Sequence, residues 1–193
     1  MKCPKCSKEE LVDSVLADDL AVKTCKACKG SWIASEDYQT WQAKQPQEKV
    51  TPEELGEKLN IEFGQSPLDT RAALCPECSR YLSRAKVKLK TPFFVDRCQQ
   101  CSGIWCDYGE WDILAQLGLH RSIEQLFERK WQAQVEQQQL LNSERQAMVE
   151  KMGDKVAEQV FEIAEVLSQH PHGDFALAYL MRKVVSLQET QRR

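Results

Sequence analysis

The chain has 193 residues and a formal charge of -3, with 42% hydrophobic and 28% charged residues. That balance fits one or two folded domains and offers no bulk attraction to nucleic acid. No apolar run approaches the roughly 18 residues of a membrane span, and the opening "MKCPKCSKEE" lacks the apolar stretch of an export signal, so a cytoplasmic location is expected.

Nine cysteines are many for such a chain. In a reducing compartment they point to metal ligands rather than disulfides, and their odd number excludes a fully paired framework. In chain order the first pair is Cys3 and Cys6. "LVDSVLADDLAVKTC" follows as a weak strand pair with Asp18 and Asp19 near its turn. Cys25 and Cys28 close the module, trailed by Gly30, Trp32 and a short helix from Ser35. Residues 43–70 hold three prolines, with three basic against six acidic side chains, and read as an acidic linker. Within it Thr51-Pro52-Glu53-Glu54 has the pattern of a helix start, Thr capping and Pro at the first position.

The module then recurs. Cys75 and Cys78 repeat the first pair at an offset of 72; Cys98, Cys101, Gly103 and Trp105 repeat the second half at 73. The spacers of 18 and 19 residues differ by one, as a hairpin turn tolerates. "RAKVKLKTPFFVDRC" alternates cleanly: Ala85, Val87 and Leu89 face one way, Arg84, Lys86, Lys88 and Lys90 the other. Thr91-Pro92 makes a turn and Phe93 to Arg97 a return strand. Residues 71–105 carry seven basic against two acidic side chains, a basic island in an acidic chain.

Beyond about Asp107 the pattern is helical. Ile123, Leu126, Phe127, Lys130 and Trp131 form one stripe; Val156, Val160, Ile163, Ala164 and Leu167 a second; Phe175, Leu177, Leu180, Met181 and Val184 a third. Gly153-Asp154 and His170-Pro171-His172-Gly173 separate them. The two histidines read as part of a helix-breaking turn rather than a metal site. Trp111, Phe127 and Trp131 read as core anchors.

The cysteine pattern carries the chemistry. A C-x2-C turn brings two sulfurs to one ion, and two such turns at this spacing fit a tetrahedral zinc site with four thiolates. The expected ligands are Cys3, Cys6, Cys25 and Cys28 for one Zn2+, and Cys75, Cys78, Cys98 and Cys101 for a second. A module of about 40 residues cannot bury enough core to hold itself, whereas structural zinc supplies about 10–16 kcal/mol in finger peptides. Four thiolates leave no open position for water or substrate, and no nucleophile–base pair or phosphate loop is visible, so no enzymatic activity is expected. The Gly after each second pair is expected to supply a turn at positive φ. The alternative metal is iron, as in rubredoxin-like electron carriers, whose turns usually carry Gly directly after the second Cys; here those positions are Ser7, Lys29, Ser79 and Ser102.

The stretch "CPECSR…CQQCSGIWCDYGE" resembles the transcription factor IIB-type zinc-ribbon family, whose pattern is roughly C-P-x-C, a hairpin, then C-x-x-C-x-G-x-W-L-D-x-G-E. "CPKCSK…CKACKGSWIASED" resembles it less closely, with Ala34 in place of the Asp. The resemblance covers about residues 1–42 and 73–115. It implies the four Cys of each copy as ligands and Trp32 and Trp105 as packing residues. Asp18-Asp19 is similar to an acidic hairpin tip that some zinc ribbons insert into RNA polymerase, although surface turns are rich in Asp anyway. Cys106 stands where the family usually has Leu, and reads as a small buried hydrophobe.

The expected fold is therefore a small metal-bound α+β protein: two zinc-ribbon β-hairpin modules followed by an α-helical hairpin or small bundle. The segments are 1–42 (first ribbon), 43–70 (linker), 71–112 (second ribbon) and 113–193 (helical tail). The expected function is a non-enzymatic adaptor or regulator acting through protein–protein contacts, with the transcription or translation machinery as one class of partner. The alternative is nucleic-acid binding through Arg80, Arg84, Lys86, Lys88 and Lys90, backbone-directed because no base-reading set is evident. The helical tail is also a candidate for homo-oligomer contacts.

Overall fold

The computed structural model describes all residues except 47, 48, 59, 60, 62, 192 and 193; the side chains of Asp18, Glu57 and Gln191 are also outside the description. The chain forms two compact units, Met1–Gln139 and Leu140–Arg193.

In the first unit, β1 (Leu11–Leu16) and β2 (Leu20–Cys25) form a hairpin whose tip is a 3-10 turn, Ala17–Asp19. β3 (Ser31–Ile33) and α1 (Ser35–Gln42) follow. α2 (Pro52–Glu57) starts at the expected point, and its cap is reciprocal: Thr51 Oγ1 accepts from Glu54 N while Glu54 Oε2 accepts from Thr51 N. The repeat supplies β4 (Ser83–Val87), β5 (Phe93–Arg97), β6 (Ile104–Cys106) and α3 (Glu110–Leu117). The stripe from Ile123 is a 3-10 segment, Ile123–Phe127, rather than α-helix; extended backbone at Glu128 separates it from α4 (Arg129–Met152).

The two ribbons do not stand as separate modules. Their strands form one six-stranded antiparallel sheet in the order β1-β2-β3-β6-β5-β4. The central pairing sets Trp32 opposite Trp105, with Ser31 opposite Cys106 and Ile33 opposite Ile104. The register places equivalent residues of the two copies symmetrically about the tryptophan pair, as in an isologous dimer made within one chain.

Strand alternation gives the sheet two different cores. On one face Trp32, Trp105, Leu11 and Leu82 pack with the cysteines. On the other, Ile33, Ile104, Cys106, Val87, Phe93 and Val95 pack with Trp41, Trp111, Leu114 and Trp131 from the helices. Residues of the linker take part in this second core. Val50 and Leu55 are buried there, Phe63 meets Phe93 edge-on, and the Val50 carbonyl accepts from Trp131 Nε1 at 3.2 Å. Asp69, at the end of the linker, is fully buried.

The second unit contains the end of α4, α5 (Asp154–Gln169) and α6 (Gly173–Gln191), broken at the two places expected. α5 and α6 pack against each other, Ala157 is buried, and Arg145 lies 3.9 Å over the Phe161 ring. Among the described residues no helix is long and apolar enough to cross a membrane.

Candidate metal centres

Each C-x2-C turn is closed by a backbone bond from the residue after the second Cys to the first Cys carbonyl. Ser7, Lys29, Ser79 and Ser102 make these bonds at 2.9–3.2 Å. All four adopt left-handed backbone, φ 56–62°, a conformation that costs a non-glycine residue roughly 1–2 kcal/mol. Positive φ thus falls directly after the Cys pair and not at Gly30 or Gly103, as the spacing had suggested. Further amides approach the sulfurs: Cys6 N to Cys3 Sγ at 3.5 Å, Cys78 N to Cys75 Sγ at 3.3 Å and Gln100 N to Cys98 Sγ at 3.4 Å. These donors offset thiolate charge.

The turns bring Cys3, Cys6, Cys25 and Cys28 into one group and Cys75, Cys78, Cys98 and Cys101 into another, each spanning less than 4.8 Å. None is in a disulfide. The distances Cys3–Cys28 3.6 Å, Cys6–Cys25 3.5 Å and Cys75–Cys101 3.6 Å are close to the edge of about 3.8 Å for thiolates some 2.3 Å from a tetrahedral zinc. The groups fit two zinc ions. The contact from Cys28 lowers the Cys3 pKa, while the same contact and burial push Cys28 up.

The profile of the transcription factor zinc-finger family matches residues 2–44 and 74–117. The two matched segments coincide with the two ribbons and their thiol groups. No curated protein and no solved structure matches the chain.

The two zinc ribbons grip each other by their tryptophans. A Cβ on Gly30 would sit 2.3 Å from Trp105 Cζ2, and one on Gly103 would sit 2.2 Å from Trp32 Cζ2. Each glycine is therefore the floor on which the other ribbon's indole lies. Both indoles are buried, and each N–H reaches a carboxylate. Trp105 Nε1 donates to Asp107 in its own ribbon at 2.8 Å. The equivalent of Asp107 in the first copy is Ala34, and Trp32 Nε1 donates instead to Glu77 of the second ribbon, at 2.9 Å. Glu77 lies inside "CPEC"; its counterpart in "CPKC" is Lys5. Lys5, with a side chain 0% exposed, crosses to the second ribbon, 2.6 Å from Asp96, 3.9 Å from Asp107 and 2.8 Å from the Arg71 carbonyl.

The basic strand is less free than its alternation implied. Arg84 turns inward: its Nε donates to Asp96 Oδ1 at 2.9 Å and its guanidinium to the Asp69 carbonyl. Asp69 and Asp96 are the buried acids that claim it, and neither stood out in the sequence. Lys88 is ion-paired with Glu136. Arg80, Lys86 and Lys90 are exposed. The backbone of Asp18 and Asp19 forms the first hairpin tip as expected; the Asp18 side chain lies outside the described residues. Cys106 belongs to neither thiol group. It faces the helix-side core beside Ile104, fully buried, and burial raises its pKa well above the ordinary thiol value. The opposite face of the sheet holds the zinc cysteines, so Cys106 is a packing residue.

Proposed function

We propose that this protein is a non-enzymatic, zinc-stabilised adaptor that docks a protein partner through its second unit. Cys3, Cys6, Cys25 and Cys28 ligate one zinc and Cys75, Cys78, Cys98 and Cys101 the other, each with its coordination filled by thiolates. The observation that carries the adaptor reading is the apolar surface of α5 and α6. Val166, Phe175 and Met181 are 66%, 71% and 63% exposed, and Val156, Ile163, Val184 and Leu187 are exposed beside them. Two helices presenting this many large apolar side chains exceed what an isolated surface tolerates and suit helix-in-groove docking by another protein. A reducing, cytoplasmic setting keeps the thiols available for metal.

The test places a photo-cross-linking residue at Met181 in the full-length protein within its native cell. Capture of one discrete protein, lost with Phe175→Asp and Val184→Asp at unchanged zinc content, supports the reading. A cross-link only to a second copy would make the face a homo-oligomer contact; an empty, monomeric face would overturn the proposal. Elemental analysis giving two zincs in colourless protein separates it from an iron electron carrier.

A second reading, binding of nucleic acid, rests on Arg80, Lys86 and Lys90, whose side chains are exposed, whereas Arg84 and Lys88 are half-buried. Three phosphate contacts give a log–log salt slope of about -2 to -3. Titration of single-stranded RNA and duplex DNA at two salt concentrations, with Lys86→Glu and Lys90→Glu as controls, decides it.

A further inference from the structure

A buried carboxylate cluster lies in the second ribbon, apart from both thiol groups. One carboxylate oxygen from each of Asp69, Asp107 and Glu110 lies within 4.8 Å of the other two. All three residues are buried, at 0%, 4% and 0% exposure. They come from two separate places in the chain: Asp69 ends the linker, while Asp107 and Glu110 flank the Gly109 turn into α3.

Hydrogen bonding accounts for only part of this group. Asp69 accepts from Phe94 N at 3.0 Å and from Gln65 Nε2 at 2.7 Å. Asp107 Oδ1 accepts from Trp105 Nε1, and Glu110 Oε2 accepts from Asp107 N at 2.7 Å. That leaves Asp107 Oδ2 and Glu110 Oε1, both buried, without any hydrogen-bond partner. Two oxygens with spare lone pairs, on side chains more than nine-tenths buried, sit in one acidic cluster.

The charges do not balance either. Lys5 lies 2.6 Å from Asp96 Oδ2 and, beyond hydrogen-bond reach, 3.9 Å from Asp107 Oδ2, and it donates to the Arg71 carbonyl; Arg84 pairs with Asp96 at 2.9 Å and with the Asp69 carboxylate at 3.5 Å. Two cations therefore serve four carboxylates, Asp69, Asp96, Asp107 and Glu110. With all four ionised the surplus is two negative charges out of water, which a fold relieves either by binding protons or by a counter-cation. Nor is the cluster a packing device common to both ribbons. Ala34 stands where Asp107 does, and Asp37, the counterpart of Glu110, is exposed.

The geometry points to a third metal site, for a hard divalent cation such as Mg2+, Ca2+ or Mn2+, held by Asp69, Asp107 and Glu110. Oxygen-only donors select this class over zinc, which takes the thiolates. A divalent ion cancels the surplus charge and occupies the unpartnered oxygens. It also ties the linker to the start of α3. The Asp107 carboxylate would then hold the Trp105 indole with one oxygen and the cation with the other.

The test uses full-length, zinc-loaded protein titrated with Mn2+ alone, followed by electron paramagnetic resonance, and with Mg2+ or Ca2+ followed by calorimetry. One equivalent is expected to bind and to raise the melting temperature. Glu110→Gln keeps an oxygen for the Asp107 amide and removes the charge; it is expected to weaken binding at least tenfold with two zincs retained. Asp69→Asn, at the other wall of the site, is expected to do the same. Wild-type protein that binds no cation at millimolar concentration overturns the site, as does equal binding by wild type and both folded variants. If one variant fails to fold, the other decides.

Discussion

Replacing Gly103 by Ala tests the interlock most directly. The added methyl would meet Trp32 Cζ2 at 2.2 Å and Cη2 at 2.6 Å, well inside van der Waals contact. Trp32 is 1% exposed and packed among cysteines of both ribbons, so neither the indole nor the strand has room to yield. Overpacking a well-filled core costs typically 1–3 kcal/mol and occasionally more; this site belongs at the upper end, about 3 kcal/mol. Gly64 supplies the control, because a Cβ there meets nothing within 4 Å, and Gly64→Ala is expected to be neutral or to stabilise by up to about 1 kcal/mol. Urea unfolding of zinc-loaded protein, followed by tryptophan fluorescence, reads both. A double-mutant cycle removes the remaining ambiguity: shrinking the indole with Trp32→Phe should lower the cost of Gly103→Ala by about 1–2 kcal/mol. If the two costs simply add, or if Gly103→Ala unfolds at the wild-type midpoint, the glycine is not there for the tryptophan and the argument fails.

Three further outcomes follow from the same contacts. Chelation with thiol reductant is expected to unfold 1–42 and 71–106 while part of the helical circular dichroism persists; Cys75→Ser alone should lower amide protection in β1 and β2 as well, and a first ribbon that keeps its protection would show the ribbons fold independently. Glu77→Lys removes the acceptor of the Trp32 indole and should cost about 1–3 kcal/mol, with Ala34→Asp restoring part of it in the double variant; no recovery would mean that Glu77 acts elsewhere. Burial, and then the charge of Asp107, push Glu110 up to about 9. In zinc-loaded protein without added Mg2+ or Ca2+ the folded state therefore binds the extra proton between the unfolded value near 4.5 and about 9. Stability should fall as pH rises through that window, by up to about 1.4 kcal/mol per unit, and level off above it. Denaturation midpoints from pH 6 to 9 check this, and Glu110→Gln should remove that part of the slope.

The cysteine spacing made both metal centres legible, because a C-x2-C turn is local and its ligand count is set by the chain itself. The second hairpin was equally clear in the alternation from Arg84 to Leu89, the first less so. What the spacing could not convey is that β3 and β6 pair. Three-residue strands carry too little periodicity to announce a partner, and the pairing is set by two tryptophans and two glycines that are 73 residues apart. Gly30 and Gly103 were visible, but a glycine needed for close approach looks the same in sequence as one needed for its φ. The linker misled through its prolines and acids. Val50, Leu55 and Phe63 were the signal that it packs, and Asp69 had none, since a buried aspartate is recognised only by the Arg84 and Phe94 groups that meet it. The basic face misled for the same reason: alternation places Arg84 opposite Ala85 and Val87, but that face is not solvent there, because Asp96 lies directly across from Arg84 and Trp105 directly across from Asp96.

The small asymmetries between the copies then acquire a physical reading. Each buried indole needs one acceptor. Where Asp107 provides it within the ribbon, the facing C-P-x-C residue is Lys5, whose charge moderates the acid. Where Ala34 cannot, the facing residue is Glu77, which provides the carboxylate across the interface. The repeat is therefore complementary rather than identical, and two copies of either ribbon alone would bring together Lys5 with Ala34, or Glu77 with Asp107. The first pairing leaves an indole without its acceptor, and the second sets like charges side by side in a buried site. This favours pairing of the two ribbons within one chain over pairing like with like between chains.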